Sequence, residues 1–317
     1  MTAVVEGHRR AIHRVARGDL PPAHPDRVLP LRVPQLDNLR PVMVNSRPYV
    51  LGEGQTSSVV LLADTHGGAD KACVIGHGVN YRPEAWANNI DVTLELHDQH
   101  VPGILPIEQH GVDRDGEFPL PYMIMPVAQG TLLERTREKP LTPSELVVVS
   151  GQLSETLTAM HNHDEEGNPR GVSHGDYKAG NILLLDGRSY TTDYEGAAPI
   201  DGMRHTHMQV ASATAAPEQF DGFVSDRSDG YQLGLVLYQA ATGVPLWNGM
   251  GLNDRAEIIR SGKHDSYVLE RLSDLPSEHS IFVPAFAREL RLDSSQRFVR
   301  SANFAAELSF VLEESKS

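Results

Sequence analysis

Between Tyr49 and Arg82 the chain alternates short apolar runs with glycines: Tyr49-Val50-Leu51-Gly52-Glu53-Gly54, then Ser57-Ser58-Val59-Val60-Leu61-Leu62-Ala63, then Ala72-Cys73-Val74-Ile75-Gly76. Runs of this length with glycine between them predict strands and a hairpin. Pro83 then opens a helix predicted over Glu84–His100, because proline is tolerated in the first turn. Another strand is predicted at 121–127. Beyond it the period changes. Leu146, Val149, Leu153, Leu157 and Met160 recur at helical spacing within Ser144–His161, and Gly230–Ala241 and Ser301–Leu312 repeat the pattern. A β-rich first third followed by a helical remainder predicts an α+β fold of two lobes. The longest apolar stretches, such as Leu233–Ala241, carry polar interruptions. They fall short of the ~18 residues that a membrane-spanning helix needs.

Composition narrows the picture. At 317 residues and 40% hydrophobic content, the chain has material for two domains or one bilobal domain. Its net charge of −14 argues against a general nucleic-acid binder. The single cysteine excludes an internal disulfide framework and a cysteine-based zinc site, so Cys73 reads as a small apolar strand residue. The N-terminus lacks the apolar segment of a signal peptide, and a cytoplasmic protein is expected. Charge is uneven along the chain. Residues 1–48 carry eight arginines against four acids, and seven prolines lie between Pro21 and Pro48. Prolines at that density forbid continuous helix or central strand. Residues 1–48 are therefore expected to form a basic arm, with Met1–Arg17 as a short helix able to dock on an acidic surface. Residues 49–128 and 129–317 form the two lobes.

Three stretches carry candidate chemistry. In Leu51-Gly52-Glu53-Gly54-Gln55-Thr56-Ser57-Ser58-Val59, glycines would let backbone N–H groups approach phosphate oxygens. In Ser173-His174-Gly175-Asp176-Tyr177-Lys178-Ala179-Gly180-Asn181, a carboxylate, an ammonium and a carboxamide lie at spacings of two and five. Such a set suits phosphoryl transfer: Asp176 to orient or deprotonate a hydroxyl, Lys178 to offset phosphate charge, Asn181 to hold a magnesium ion. In Thr192-Asp193-Tyr194-Glu195-Gly196, Asp193 offers the hard oxygen that Mg²⁺ prefers. The turn Asp186-Gly187 between two β-like pieces returns the chain on itself, so Asp176, Asn181 and Asp193 are expected at one end of a hairpin. The fifteen histidines include the pairs His97/His100, His161/His163 and His205/His207, but no cysteine or carboxylate cluster completes a zinc set. They read as solvated side chains.

Taken in order, these motifs resemble the protein-kinase-like fold, close to the Ser/Thr kinases of bacteria that are similar to eukaryotic ones. The resemblance covers Tyr49 to Leu312. It implies a small β-rich N-lobe, a helical C-lobe, and ATP with Mg²⁺ between them. Gly52, Gly54 and Val59 resemble the glycine-rich loop over ATP. Pro121-Tyr122-Met123-Ile124-Met125-Pro126-Val127-Ala128 resembles the gatekeeper and hinge, with Met125 as gatekeeper and Val127 and Ala128 facing adenine. The stretch from His174 to Asn181 resembles the catalytic loop, and Asp193-Tyr194-Glu195 the metal-binding Asp-Phe-Gly. Asp176 is then the base or hydroxyl-orienting acid, Lys178 steadies the γ-phosphate, and Asn181 and Asp193 hold Mg²⁺. Ala216-Pro217-Glu218, the helix start at Ser228-Asp229-Gly230 and the late Arg297 also have counterparts, the aspartate bracing the catalytic loop and the arginine pairing with Glu218.

The sequence departs from the family in four places. Counted without gaps, Ala72 lines the adenine pocket and Val74 stands where the family has its third-strand lysine. A hairpin three residues shorter would instead make Lys71 that lysine. No glutamate falls at the partner position, where Val92 lies between Asp91 and Glu95. Gly175 replaces the arginine that grips a phosphorylated activation loop, although Thr206, Ser212 and Thr214 lie in that segment. Asp193-Tyr194-Glu195-Gly196-Ala197 resembles small-molecule phosphotransferases instead. The expected activity is transfer of the ATP γ-phosphate to a protein hydroxyl. A pseudokinase acting as a nucleotide-binding or scaffolding module and a small-molecule phosphotransferase are the rivals.

Overall fold

In the computed structural model, residues 33–44, 47–54, 56–76, 81–115, 119–205 and 213–316 are described. They fall into two units. One comprises residues up to His97 together with Leu105–Gly130; the other comprises Asp98–Ile104 and the chain from Thr131 onward.

The first unit is built on a six-stranded antiparallel sheet. Its strands are β1 (Leu39–Pro41), β2 (Val50–Glu53), β3 (Ser57–Asp64), β4 (Lys71–Gly76), β5 (Gln109–Asp113) and β6 (Leu120–Pro126). The path runs β1–β3–β4–β6–β5, and β2 shares the outer edge of β3 with β1. Helix α1 (Pro83–Asp98) begins at the expected proline and buries Trp86, Ile90 and Leu96. Strand alternation sorts the side chains into two faces. Val60, Leu62, Cys73, Ile75 and Ile124 form one cluster. Val74 and Met123 pack with Trp86 and Ile90 on the other face. Cys73 is fully buried, and burial pushes its thiol up to about 12, so it behaves as the apolar residue expected.

The arm expected over 1–48 needs correction in its described part. Leu36 and Val42 are core residues, and β1 pairs with β3 in the register Leu39↔Asp64, Arg40↔Ala63 and Pro41↔Leu62. Prolines exclude a central strand but not an edge strand, and β1 lies on an edge. The predicted helix at Met1–Arg17 lies outside the described residues.

In the second unit, helix α2 (Leu132–Glu138) is followed by α3 (Pro143–His161). Thr142 caps α3 reciprocally: its hydroxyl accepts from the Glu145 N–H while the Glu145 carboxylate accepts from the Thr142 N–H. Helix α4 (Asp226–Thr242) is buried on every side from Ser228 to Ala241, which places it at the centre of the unit. Helices α5 (Leu252–Arg260), α6 (His264–Leu272), α7 (Val283–Glu289) and α8 (Ser301–Glu314) complete it, with α3 packed on both α4 and α8. A glycine inside α4 has a steric cause: a Cβ on Gly230 would lie 2.3 Å from Oε1 of the buried Glu289. Among the described residues, no helix is long and apolar enough to cross a membrane.

Candidate active site

The site grows from a hairpin. Strands β7 (Ile182–Leu185) and β8 (Arg188–Thr191) pair from Ile182↔Thr191 to Leu185↔Arg188. Asp186 and Gly187 turn between them at φ of 50° and 75°. Positive φ at both central residues suits the right-handed twist of a two-residue hairpin, hence Asp-Gly. At the open end, Thr192 N–H donates to Asn181 O at 3.0 Å. That bond brings the residue after it, Asp193, beside the loop that carries Asp176 and Asn181.

Within this loop Lys178 Nζ donates to Asp176 Oδ2 at 2.5 Å, and Asn181 Nδ2 donates to the Asp176 carbonyl at 3.1 Å. The other carboxylate oxygen, Asp176 Oδ1, is buried without a hydrogen-bond partner among the described residues. With its amide nitrogen committed, Asn181 offers its side-chain oxygen. Burial pushes Asp193 above the usual aspartate range. Lys178 opposes that shift and the Asp176 carboxylate adds to it. Burial works to lower Lys178, but Asp176, with Asp193 and Glu195, overrides it and holds the ammonium above its ordinary value. Asp193 also adopts a left-handed backbone, φ 69°, a conformation that costs a non-glycine residue energy and clusters at functional sites. Thus Asp176, Lys178, Asn181 and Asp193 share one neighbourhood: two carboxylates, one amide oxygen and a single ammonium. The hard oxygens of Asn181 and Asp193 fit Mg²⁺ by chemistry. Among the described residues, no group of three or more histidine, cysteine, aspartate or glutamate side chains could hold a metal.

The bracing aspartate does what the family resemblance implied. Asp229 is fully buried and accepts four hydrogen bonds. Ser173 Oγ and the Gly175 N–H reach Oδ1 at 2.9 and 3.1 Å, while His161 Nε2 and the His174 N–H reach Oδ2, both at 2.9 Å. Burial acts to raise its pKa, yet these bonds hold it below the usual range. Glu218 and Arg297 form the expected pair as a two-pronged bridge, at 2.7 and 2.9 Å.

His161 was expected in solvent, and that expectation fails. It is buried on α3 and bonded to Asp229, while His163 bonds Asp226 at 3.0 Å. Its place four residues after Leu157, on the apolar stripe, was the available signal. Two further residues escaped the sequence reading, Gln219 and Gln232, both bonded to the Gly175 carbonyl, at 2.8 and 3.1 Å. Thr206, His207 and Ser212 lie outside the described residues.

The first unit holds the remaining candidates, four of them on one sheet face. Val59 pairs with Val74, and Ala72 pairs with both Leu61 and Met125. Val59, Ala72, Val74 and Met125 therefore share a face, whereas Lys71, one residue from Ala72, projects from the other. There Lys71 Nζ pairs with Glu108 at 2.7 Å. This register agrees with the gapless alignment, with Val74 at the lysine position. Val127 packs with Leu61 and Ala63, and Ala128 follows it, half-buried. The Gly54 N–H donates to Ser57 O at 2.8 Å, closing the turn between β2 and β3. A Cβ on Gly52 would meet nothing nearer than 4.0 Å and one on Gly54 nothing nearer than 3.6 Å. Among the described residues, packing does not require glycine at either place, which leaves room for a ligand as the reason.

Comparison with known proteins agrees with this arrangement. The protein kinase domain family model matches residues 47–299. Serine/threonine-protein kinase PknH of Mycobacterium tuberculosis is 32% identical over 151 residues, 45% of this chain and 22% of PknH. The DNA damage-responsive serine/threonine-protein kinase RqkA of Deinococcus radiodurans is 31% identical over 211 residues, 63% of this chain and 30% of that protein. Serine/threonine-protein kinase PknE of M. tuberculosis is 28% identical over 213 residues, 65% of this chain and 35% of PknE. The matched region thus spans only 22–35% of the length of these relatives.

Proposed function

The chain belongs to the protein kinase domain family, and from that premise we propose that it is a Ser/Thr protein kinase that transfers the ATP γ-phosphate to a protein hydroxyl. The observation that carries this reading is Asp176. One of its carboxylate oxygens is bound by Lys178 while the other is buried and unclaimed among the described residues, beside Asn181 and Asp193. A buried carboxylate oxygen without a donor is costly unless it is meant for one. The hydroxyl of a serine or threonine substrate would supply it. Asp176 would orient that hydroxyl and take its proton as its oxygen bonds the γ-phosphorus and the bond from that phosphorus to the bridging oxygen breaks, releasing ADP.

Asn181 and Asp193 would hold Mg²⁺, which supplies charge neutralisation at the phosphates. Lys178, kept protonated by its carboxylate neighbours, adds a second positive charge at the transferred group. Gly52, Gly54, Val59, Ala72, Met125, Val127 and Ala128 would receive the nucleotide. Val74 contributes no ammonium, so phosphate positioning rests more on Lys178 and the metal than in relatives with the strand lysine. The paired Glu218 and Arg297 support a protein substrate over a small molecule, because they anchor the segment on which a peptide would rest.

Thermal unfolding with ATP, with and without Mg²⁺, on wild-type and Asp193→Ala proteins tests the assignment. At a nucleotide concentration 100 times Kd, binding adds about 2.7 kcal/mol to stability, a readily measured rise in Tm. The rise is expected only with Mg²⁺ and is lost in Asp193→Ala. A Mg²⁺-dependent rise undiminished in the variant would remove Asp193 from the metal site.

A further inference from the structure

The Gly175 carbonyl belongs to the peptide unit that precedes Asp176, and the Tyr177 N–H to the one that follows it. Both are tied to one side chain. The Tyr177 N–H donates to Gln232 Oε1 at 3.0 Å, and Gln232 Nε2 donates to Gly175 O at 3.1 Å. The same nitrogen also donates to Gln219 Oε1 at 3.0 Å. Gln219 in turn donates through Nε2 to Gly175 O at 2.8 Å, while its Oε1 accepts from the Ala216 N–H at 2.6 Å. Gln232 is wholly buried in α4, and Gln219 is 1% exposed. Every polar atom of the two carboxamides has a protein partner.

We propose that Gln232, with Gln219 behind it, is a positioning residue for Asp176. Resting on the kinase reading above, this assignment goes beyond it by naming what holds the reacting carboxylate in place. Fixing the peptide planes on both sides of a residue fixes its φ and ψ, and therefore the origin and direction of its side chain. Asp229 holds the loop two residues earlier, at His174, through the N–H groups of His174 and Gly175. The two devices differ in reach: of them only the carboxamide pair acts on the peptide units flanking Asp176, where it is joined by Asn181 Nδ2 on the Asp176 carbonyl at 3.1 Å and by His174 Nδ1, which accepts from the Asp176 N–H at 3.4 Å. The pair also binds the loop to Ala216, at the head of the segment whose Glu218 is locked to Arg297. No charged group enters this bracket. Gly175 contributes only its backbone, at φ 74°, a conformation in which a larger residue would be strained. The loop is thus held by groups that are always present in the chain, where an arginine in place of Gly175 would have waited for a phosphate.

The test uses the full chain with Gln232→Met and Gln232→Glu. Methionine keeps the volume of the side chain without its hydrogen bonds. Glutamate keeps the acceptor for Tyr177 N–H but, ionised, turns an oxygen toward Gly175 O and Gln219 Oε1. Because a displacement of about 1 Å costs on the order of 100-fold in rate, kcat for peptide phosphorylation is expected to fall about 10- to 100-fold in both variants. KM for MgATP is expected to change less than about 3-fold, with kcat normalised to the folded fraction of each variant, because unfolded protein lowers kcat without moving KM. The ratio of Gln232→Glu to wild-type kcat should rise as pH falls from 8 to 6, because a protonated carboxyl can again donate to Gly175 O. Deuterium uptake of the 174–178 peptide should accelerate in Gln232→Met, which provides a readout independent of activity. If both variants keep wild-type kcat and wild-type exchange over 174–178, the assignment is wrong. If wild-type protein has no transfer activity, the kinase reading fails; the exchange measurement still decides whether Gln232 holds the loop.

Discussion

Replacing Asp229 perturbs one carboxylate that closes four hydrogen bonds in a fully buried place. Asparagine fills the same space but can point only one oxygen. If its nitrogen takes the Oδ1 place it faces Ser173 Oγ, which can rotate to accept, and the Gly175 N–H, which cannot. At the Oδ2 place it faces His161 Nε2, which can accept in the other tautomer, and the His174 N–H, which cannot. Either way one buried backbone N–H is orphaned, at about 1–3 kcal/mol, and the remaining bonds lose their charge assistance, roughly 1 kcal/mol more. Asp229→Asn should therefore cost ~2–4 kcal/mol. Asp229→Ala orphans all four donors and should cost ~4 kcal/mol or more, a large part of a typical 5–15 kcal/mol stability. The native carboxyl is held below its ordinary value, so its contribution is present above pH 3.8 and is lost as pH falls through its lowered value. Urea unfolding at pH 7, followed by the fluorescence of the buried Trp247 in the same unit, measures both costs. Equal destabilisation by the two variants, or less than about 1 kcal/mol from Asp229→Asn, would refute the count of irreplaceable donors.

Lys71→Ala should leave the Mg²⁺-dependent thermal shift with ATP unchanged, because Lys71 projects from the face opposite Ala72 and pairs with an exposed glutamate. Loss of that shift would restore the shorter-hairpin alignment. Glu289 is fully buried and burial raises its carboxyl to about 8. Between the ordinary 4.5 and this value the unfolded chain gives up a proton that the folded chain keeps, so stability falls as pH rises, by about 3 kcal/mol at pH 7. Glu289→Gln retains an acceptor for the Phe298 N–H, bonded at 3.1 Å, and should raise Tm more at pH 7.5 than at pH 5. Equal gains at the two pH values would contradict the buried neutral carboxyl.

Which parts of this molecule can be read from its sequence follows from how far apart the interacting residues lie. Asp176, Asn181 and Asp193 are joined by a single Asp-Gly hairpin, so local spacing was enough to bring them together. Glu218 and Arg297 are 79 residues apart, and only the resemblance to a family made that pairing visible. Gln219, Gln232 and His161 had no such guide. Their partners lie 44, 57 and 68 residues away, so apart from the place of His161 on the apolar stripe nothing local announces that these polar side chains are buried and paired. Leu36 and Val42 were hidden differently. The prolines around them rule out a central strand, and the edge strand that accepts proline leaves only a short apolar pattern. The missing strand lysine depended on register. Alternation along β4 places Lys71 and Val74 on opposite faces, and a shift of one residue would have exchanged them.

Phosphate transfer from γ-labelled ATP to serine- and threonine-containing protein substrates, compared between wild-type protein and Asp176→Asn, tests the central claim most directly. The account predicts Mg²⁺-dependent label on serine or threonine for the wild type. It predicts a loss of at least about 100-fold in kcat for the variant, the range of general-base contributions, with MgATP still bound. Folded wild-type protein that binds MgATP but transfers no label, or a variant that transfers as fast as the wild type, would contradict it.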